Sequence, residues 1–210
     1  MGVLDNLLQG VFSKPPAIAT VAELMQFMDS RVSFLAQKGV VEFCRVRAGV
    51  HWEKLFGEAE FQQELTRSRW QAYPPAFAMI AEVIEGVLRE PAGIRQRQLP
   101  AVIATLSKDI FRKYPVPEGL APGFWDEALK LVREKLDQAQ GGPPRPVREI
   151  PKKTARLIFD ALPLHEDVVT NDYDYIFNFL RMNLLRIHED FTRAADLPLL
   201  VEDLLGKTTE

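Results

Sequence analysis

The sequence is short of most features that announce a chemistry. It has one cysteine, Cys44, so no disulfide can form within the chain, and the reading is a cytoplasmic, reducing setting. It has three histidines, and no Gly-x-Ser-x-Gly elbow, Walker loop, dinucleotide fingerprint or zinc-type Cys/His spacing. Those gaps remove the familiar nucleophile, nucleotide and metal signatures, and no cofactor or metal is expected. Positive charge is not in excess. The formal net charge is −3, which argues against a dedicated nucleic-acid binder. No apolar run approaches the roughly 20 residues that cross a bilayer. MGVLDNLLQGVF lacks the basic leader of a secretory signal. Strand patterning is almost missing too. Only 40–47, VVEFCRVR, is β-branched enough to alternate, and with no partner strand in view it reads better as helix.

What the chain does have is ordinary globular material. It carries 210 residues, 47% hydrophobic and 26% charged, enough to bury a core without disulfides or metal. Helical spacing recurs from end to end, and proline or glycine stands at most of the junctions. Thr20 and Glu23 make a capping box ahead of Val21, Leu24, Met28 and Val32. Gly39 is placed to end that helix. Tyr73-Pro-Pro75 closes one helix and pre-sets the next, which runs to Arg89. The pattern predicts an all-α protein, an irregular or orthogonal bundle of about eight or nine mostly short helices.

The stretch 171–195 is expected at the centre. Tyr173, Ile176, Phe177, Leu180, Leu184, Ile187 and Phe191 share one face, and Tyr175, Phe179, Met182 and Leu185 form a second apolar row beside it. Thr170 or Asn171 can cap this helix. Residues 1–210 read as a single domain. Residues 1–16 supply a docking helix and a proline connector, and 141–151, GGPPRPVREIP, an extended and exposed linker.

Three groups of residues are candidates for function. Val3, Leu4, Leu7, Leu8, Val11 and Phe12 form one apolar stripe, and a helix this short must dock on something. The choices are its own domain, a protein partner, a second copy, or a membrane surface; the last is weakened by Asp5 and a lone nearby cation, Lys14. Along the polar edge of the 171–195 helix, Asp174, Asn178, Arg181 and His188 would present an acid, an amide, a guanidinium and an imidazole if that edge faced a cleft. Arg145, Arg148, Lys152, Lys153 and Arg156 make a basic run around the linker, suited to an acidic partner or phosphate. His165 and His188 each open a His-Glu-Asp tripeptide. Consecutive helical residues fan out by about 100° each, so neither tripeptide forms a metal site alone.

Together these point first to a non-catalytic helical domain that acts through a protein partner or self-association, as an interaction or regulatory domain. Two alternatives stand beside it. One is an enzyme or small-molecule binder using the polar edge of 171–195. The other is a peripheral membrane protein anchored by 3–12.

Overall fold

The structure, a computed structural model, describes residues 18–163 and 173–206. The apolar stripe of 3–12, the caps at Thr170 or Asn171, and the tripeptide at His165 lie outside the described residues.

The expected capping box opens the first helix, α1 (Val21–Ser33). The Thr20 N–H donates to the Glu23 carboxylate at 2.9 Å, and the Glu23 N–H donates back to the Thr20 hydroxyl. The chain does not stop at Gly39. It passes through one π turn, Phe34–Lys38, and continues as α2 (Gly39–Ala48), so 40–47 is helical. Val40, Phe43 and Cys44 are buried at i, i+3, i+4, and that stripe settles the choice against a strand.

Gly49, at φ 54°, ends α2, and α3 (Trp52–Gly57) and α4 (Ala59–Gln71) follow. Pro74 and Pro75 occupy the first turn of α5 (Tyr73–Ala92), where a missing N–H loses no helical bond. Then come α6 (Leu99–Phe111), α7 (Phe124–Gln140), α8 (Pro151–Asp160), α9 (Tyr173–Ala194) and α10 (Leu197–Leu205). The fold is all-α; among the described residues the β features reduce to one bridge, Ile18 to Ala195. Among the same residues no helix is long and apolar enough to cross a membrane.

The centre is not where the sequence put it. Sixteen residues of α5 are buried, on every side of the helix, and α1, α4, α6, α7, α8, α9 and α10 all pack on it. By contrast α9 buries one stripe, Ile176, Leu180, Leu184, Ile187 and Phe191, and leaves Tyr175 and Met182 in solvent. The second apolar row of α9 is therefore only partly covered, with Phe179 and Leu185 half-buried, and α5 takes the central place expected of 171–195. The buried apolar side chains join into one cluster running from Ile18 to Leu204, with α8 and α9 returning onto α5.

Two features fix neighbours to the hub. Asp29 of α1 accepts hydrogen bonds from the hydroxyls of Tyr73 and Tyr114, both at 2.7 Å. The stretch 141–151 crosses α5 as a strap and is only partly exposed. Gly141 to Pro144 face solvent, whereas Arg145 is half-buried and Ile150 and Pro151 are buried. Pro144 of the strap sits against Gly86 of α5, where a Cβ would stand 3.6 Å from its side chain, an ordinary contact distance.

Candidate interaction surface

Beneath the strap lies a buried network of charge. On α5, Glu82, Glu85 and Arg89 recur at i, i+3, i+7 and so share one face. Glu85 is fully buried and receives a bidentate pair from Arg89, Nε to Oε1 at 2.7 Å and Nη2 to Oε2 at 2.8 Å. Gln140 of α7 donates to the same carboxylate, and Arg89 also donates to the Gly142 carbonyl of the strap. Glu82 accepts from Arg145 Nε at 2.6 Å. Its other oxygen sits 3.2 Å from Lys135 Nζ, an ion contact without hydrogen-bond alignment. Lys135 donates instead to the Ile150 carbonyl and to Thr154. Burial is the main cause that lowers the Lys135 pKa, and the Glu82 carboxylate opposes it. Each charge has an opposite partner, and the partners come from α5, α7 and the strap. The network's evident work is to hold the strap down.

A cavity of about 110 Å³ remains beside this network, lined in part by Glu82, Glu85, Arg145 and His188. Here His188 of the expected polar edge meets buried polar groups. Asp174 and Asn178 are exposed, and Arg181 lays its guanidinium over the Phe177 ring at 5.9 Å. Asp174 and His188 are fourteen residues apart, about 21 Å along a helix, so a single small molecule cannot bridge the edge.

The basic run is divided in the same way. Arg145 turns inward to Glu82; Arg148 and Lys152 face Glu149; Arg156 pairs with Asp160; Lys153 is exposed. The Lys152 hydrogen bond is the main cause that holds Glu149 below the usual carboxylate range.

The other flank of α9 is different. Four contacts set it against α1 and α2. Phe27 meets Phe191 with centroids 5.5 Å apart, Arg31 pairs with Asp190 at 2.9 Å, Gly39 faces Phe179, and Phe43 meets Tyr175 at 5.7 Å. The elements therefore run antiparallel, and Phe34 falls opposite the stretch between Phe179 and Asp190. Gly39 has an ordinary helical φ; its value is space. A Cβ there would stand 2.7 Å from the Phe179 ring. The π turn adds a residue to the helical ladder and rotates the faces on either side. Leu35 and Ala36 point into the core and Phe34 points out. Along this seam Phe34 is 41% exposed, Tyr175 44% and Met182 49%.

Comparison of the chain with protein-family models, with curated proteins and with solved structures finds no match. Sequence reasoning passed over Phe34, Glu82, Glu85 and Lys135. The acids had a signal, a Glu-x-x-Glu-x-x-x-Arg spacing inside an otherwise apolar helix. The exposure of Phe34 had none, because nothing in the local sequence marks the π turn at Phe34–Lys38.

Proposed function

We propose that this chain is a non-catalytic helical interaction domain that binds a protein through the seam between α1–α2 and α9. The observation that carries this reading is the line of Phe34, Tyr175 and Met182, large apolar side chains about half exposed on one seam. Grouped exposed apolar side chains mark contact sites more often than scattered ones do. The π turn supports the same reading, since such turns are costly and recur at functional positions. An enzyme or small-molecule site along the polar edge of α9 is less well supported. The cavity at His188 holds about 110 Å³, against roughly 300 Å³ or more for typical ligand sites, and its carboxylates already have partners. A buried Cys44 with no second cysteine fits a reducing compartment such as the cytoplasm.

The test is affinity purification from the native host with three baits. These are the wild-type chain, a Phe34→Asp/Met182→Asp chain, and a Leu199→Asp control at an exposed apolar residue of α10. Proteins retained by the wild type and the control but lost with the seam variant support the reading. An identical set of proteins on all three baits sinks it. The membrane alternative through 3–12 has its own check, liposome binding of wild type against Leu7→Asp.

A further inference from the structure

If the seam binds protein, as proposed above, its charge selects the partner. Two of its ion pairs are closed: Arg31 with Asp190, and Arg45 with Glu42. What is left on the rim is mainly cationic. Lys38 holds its ammonium 5.2 Å over the Phe34 ring. Arg186 is exposed and shares a helical line with Tyr175, Phe179 and Met182, at i, i+4, i+7, i+11. Arg193 lies on the same line two turns further on, and Glu189 stands between the two as the opposing carboxylate. This cationic rim stands on a chain whose formal net charge is −3. Apolar groups about half exposed, flanked by ammonium and guanidinium groups, are complementary to a surface of leucine-like side chains edged with carboxylates.

The shape agrees with the charge. Two antiparallel helices leave a groove that receives the ridge of a third, and Tyr175 to Arg186 spans about 16 Å, or three turns. We propose that this groove seats an acidic amphipathic helix of a partner protein, its apolar stripe over Phe34, Phe179 and Met182 and its carboxylates toward Lys38 and Arg186. A bilayer fits less well. Interfacial insertion needs apolar side chains that project 5–10 Å into the lipid boundary, roughly. Here they lie between two helices and are only about half exposed.

The experiment uses the full chain and a fluorescein-labelled peptide of about sixteen residues, three to four turns when helical, with leucine at i, i+3, i+4, i+7 and glutamate elsewhere. A first comparator replaces glutamate by lysine; a second scrambles the leucines. Binding is followed by fluorescence anisotropy at about 50 mM and about 300 mM salt. Expected is binding of the acidic peptide, weaker at high salt, with both comparators at least about tenfold weaker. Lys38→Glu/Arg186→Glu and Met182→Ser should each lower the affinity by about tenfold while thermal melts stay unchanged. Four results overturn the proposal. One is equal or tighter binding of the lysine comparator, and another is an affinity indifferent to charge reversal. A third is sedimentation with phosphatidylserine vesicles in place of peptide binding. The last is binding that appears only in a Leu4→Asp/Leu7→Asp chain, which would give the groove to this chain's own residues 3–12. A partner from the host that depends on the seam but carries a basic contact face would sink this inference and leave the interaction reading standing. Absence of both peptide binding and any seam-dependent partner would remove the two together.

Discussion

Helices α5 and α9 are the two longest among the described residues, and they reach the core by opposite routes. α5 is buried around its whole circumference and carries Glu82, Glu85 and Arg89 inside. α9 buries a single stripe and displays Tyr175 and Met182 outside. Apolar count alone does not separate them, since each carries twelve apolar residues, in 20 positions of α5 and 22 of α9. What decides is whether each polar group has a partner within reach and whether each apolar row has a neighbour to meet. α5 finds Gln140, Lys135 and Arg145 for its charges. The second row of α9 meets the rest of the molecule at Phe43 and Gly39 and is otherwise left over.

The hardest way to break this contrast is to remove one charge from α5. Glu85→Ala would leave Arg89 buried without its bidentate partner, a loss of about 3–5 kcal/mol in urea unfolding. Glu85→Met/Arg89→Met, which removes both charges, should cost clearly less than the single change. Equal losses would show that Arg89 finds water or another acceptor and that the network is not dry. Leu184→Ala probes the other helix. Leu184 is fully buried in the stripe facing α5, and its truncation should cost about 2–5 kcal/mol. A loss below about 0.5 kcal/mol would mean that α9 is only loosely attached.

A third measurement asks how dry the core is beneath α2. Burial pushes the Cys44 thiol up from its ordinary value near 9 to about 12. Between those values the unfolded chain gives up the thiol proton and the folded chain keeps it, so rising pH favours unfolding. The contribution is whole below about pH 9 and is lost as pH rises toward 12, at about 1.4 kcal/mol per pH unit. Urea midpoints from pH 8 to pH 10.5 should therefore fall more steeply for the wild type than for Cys44→Ala. Parallel curves would place water beside Cys44.

Much of this fold could be read without coordinates, because its boundaries rest on local chemistry. The Thr20–Glu23 box, the prolines at 74 and 75 and the stop near Gly93 act within a turn or two of sequence. The hub could not be read that way. The charges at 82, 85 and 89 look like a solvated face until Gln140, Lys135 and Arg145, more than fifty residues away, come round to meet them. The strap misled for a related reason: its prolines argue for an extended chain, but nothing nearby says that Gly86 will receive Pro144. Of the expected polar edge, His188 lines a cavity, and fourteen residues of helix carry Asp174 too far from it.

The smallest expected effect separates surface left over by folding from surface kept for contact. Met182 is half exposed and lies on the outer side of α9, so Met182→Ser removes apolar area that folding never fully buried. The change in unfolding free energy should stay within about 0.5 kcal/mol, well below that of Leu184→Ala two residues away. A loss above about 1.5 kcal/mol would mean that Met182 packs against this chain itself and that the seam is closed. Near-silence in stability joined to lost binding is what a contact residue gives. Folding alone would not distinguish Met182 from any other half-exposed side chain, and only a second molecule can.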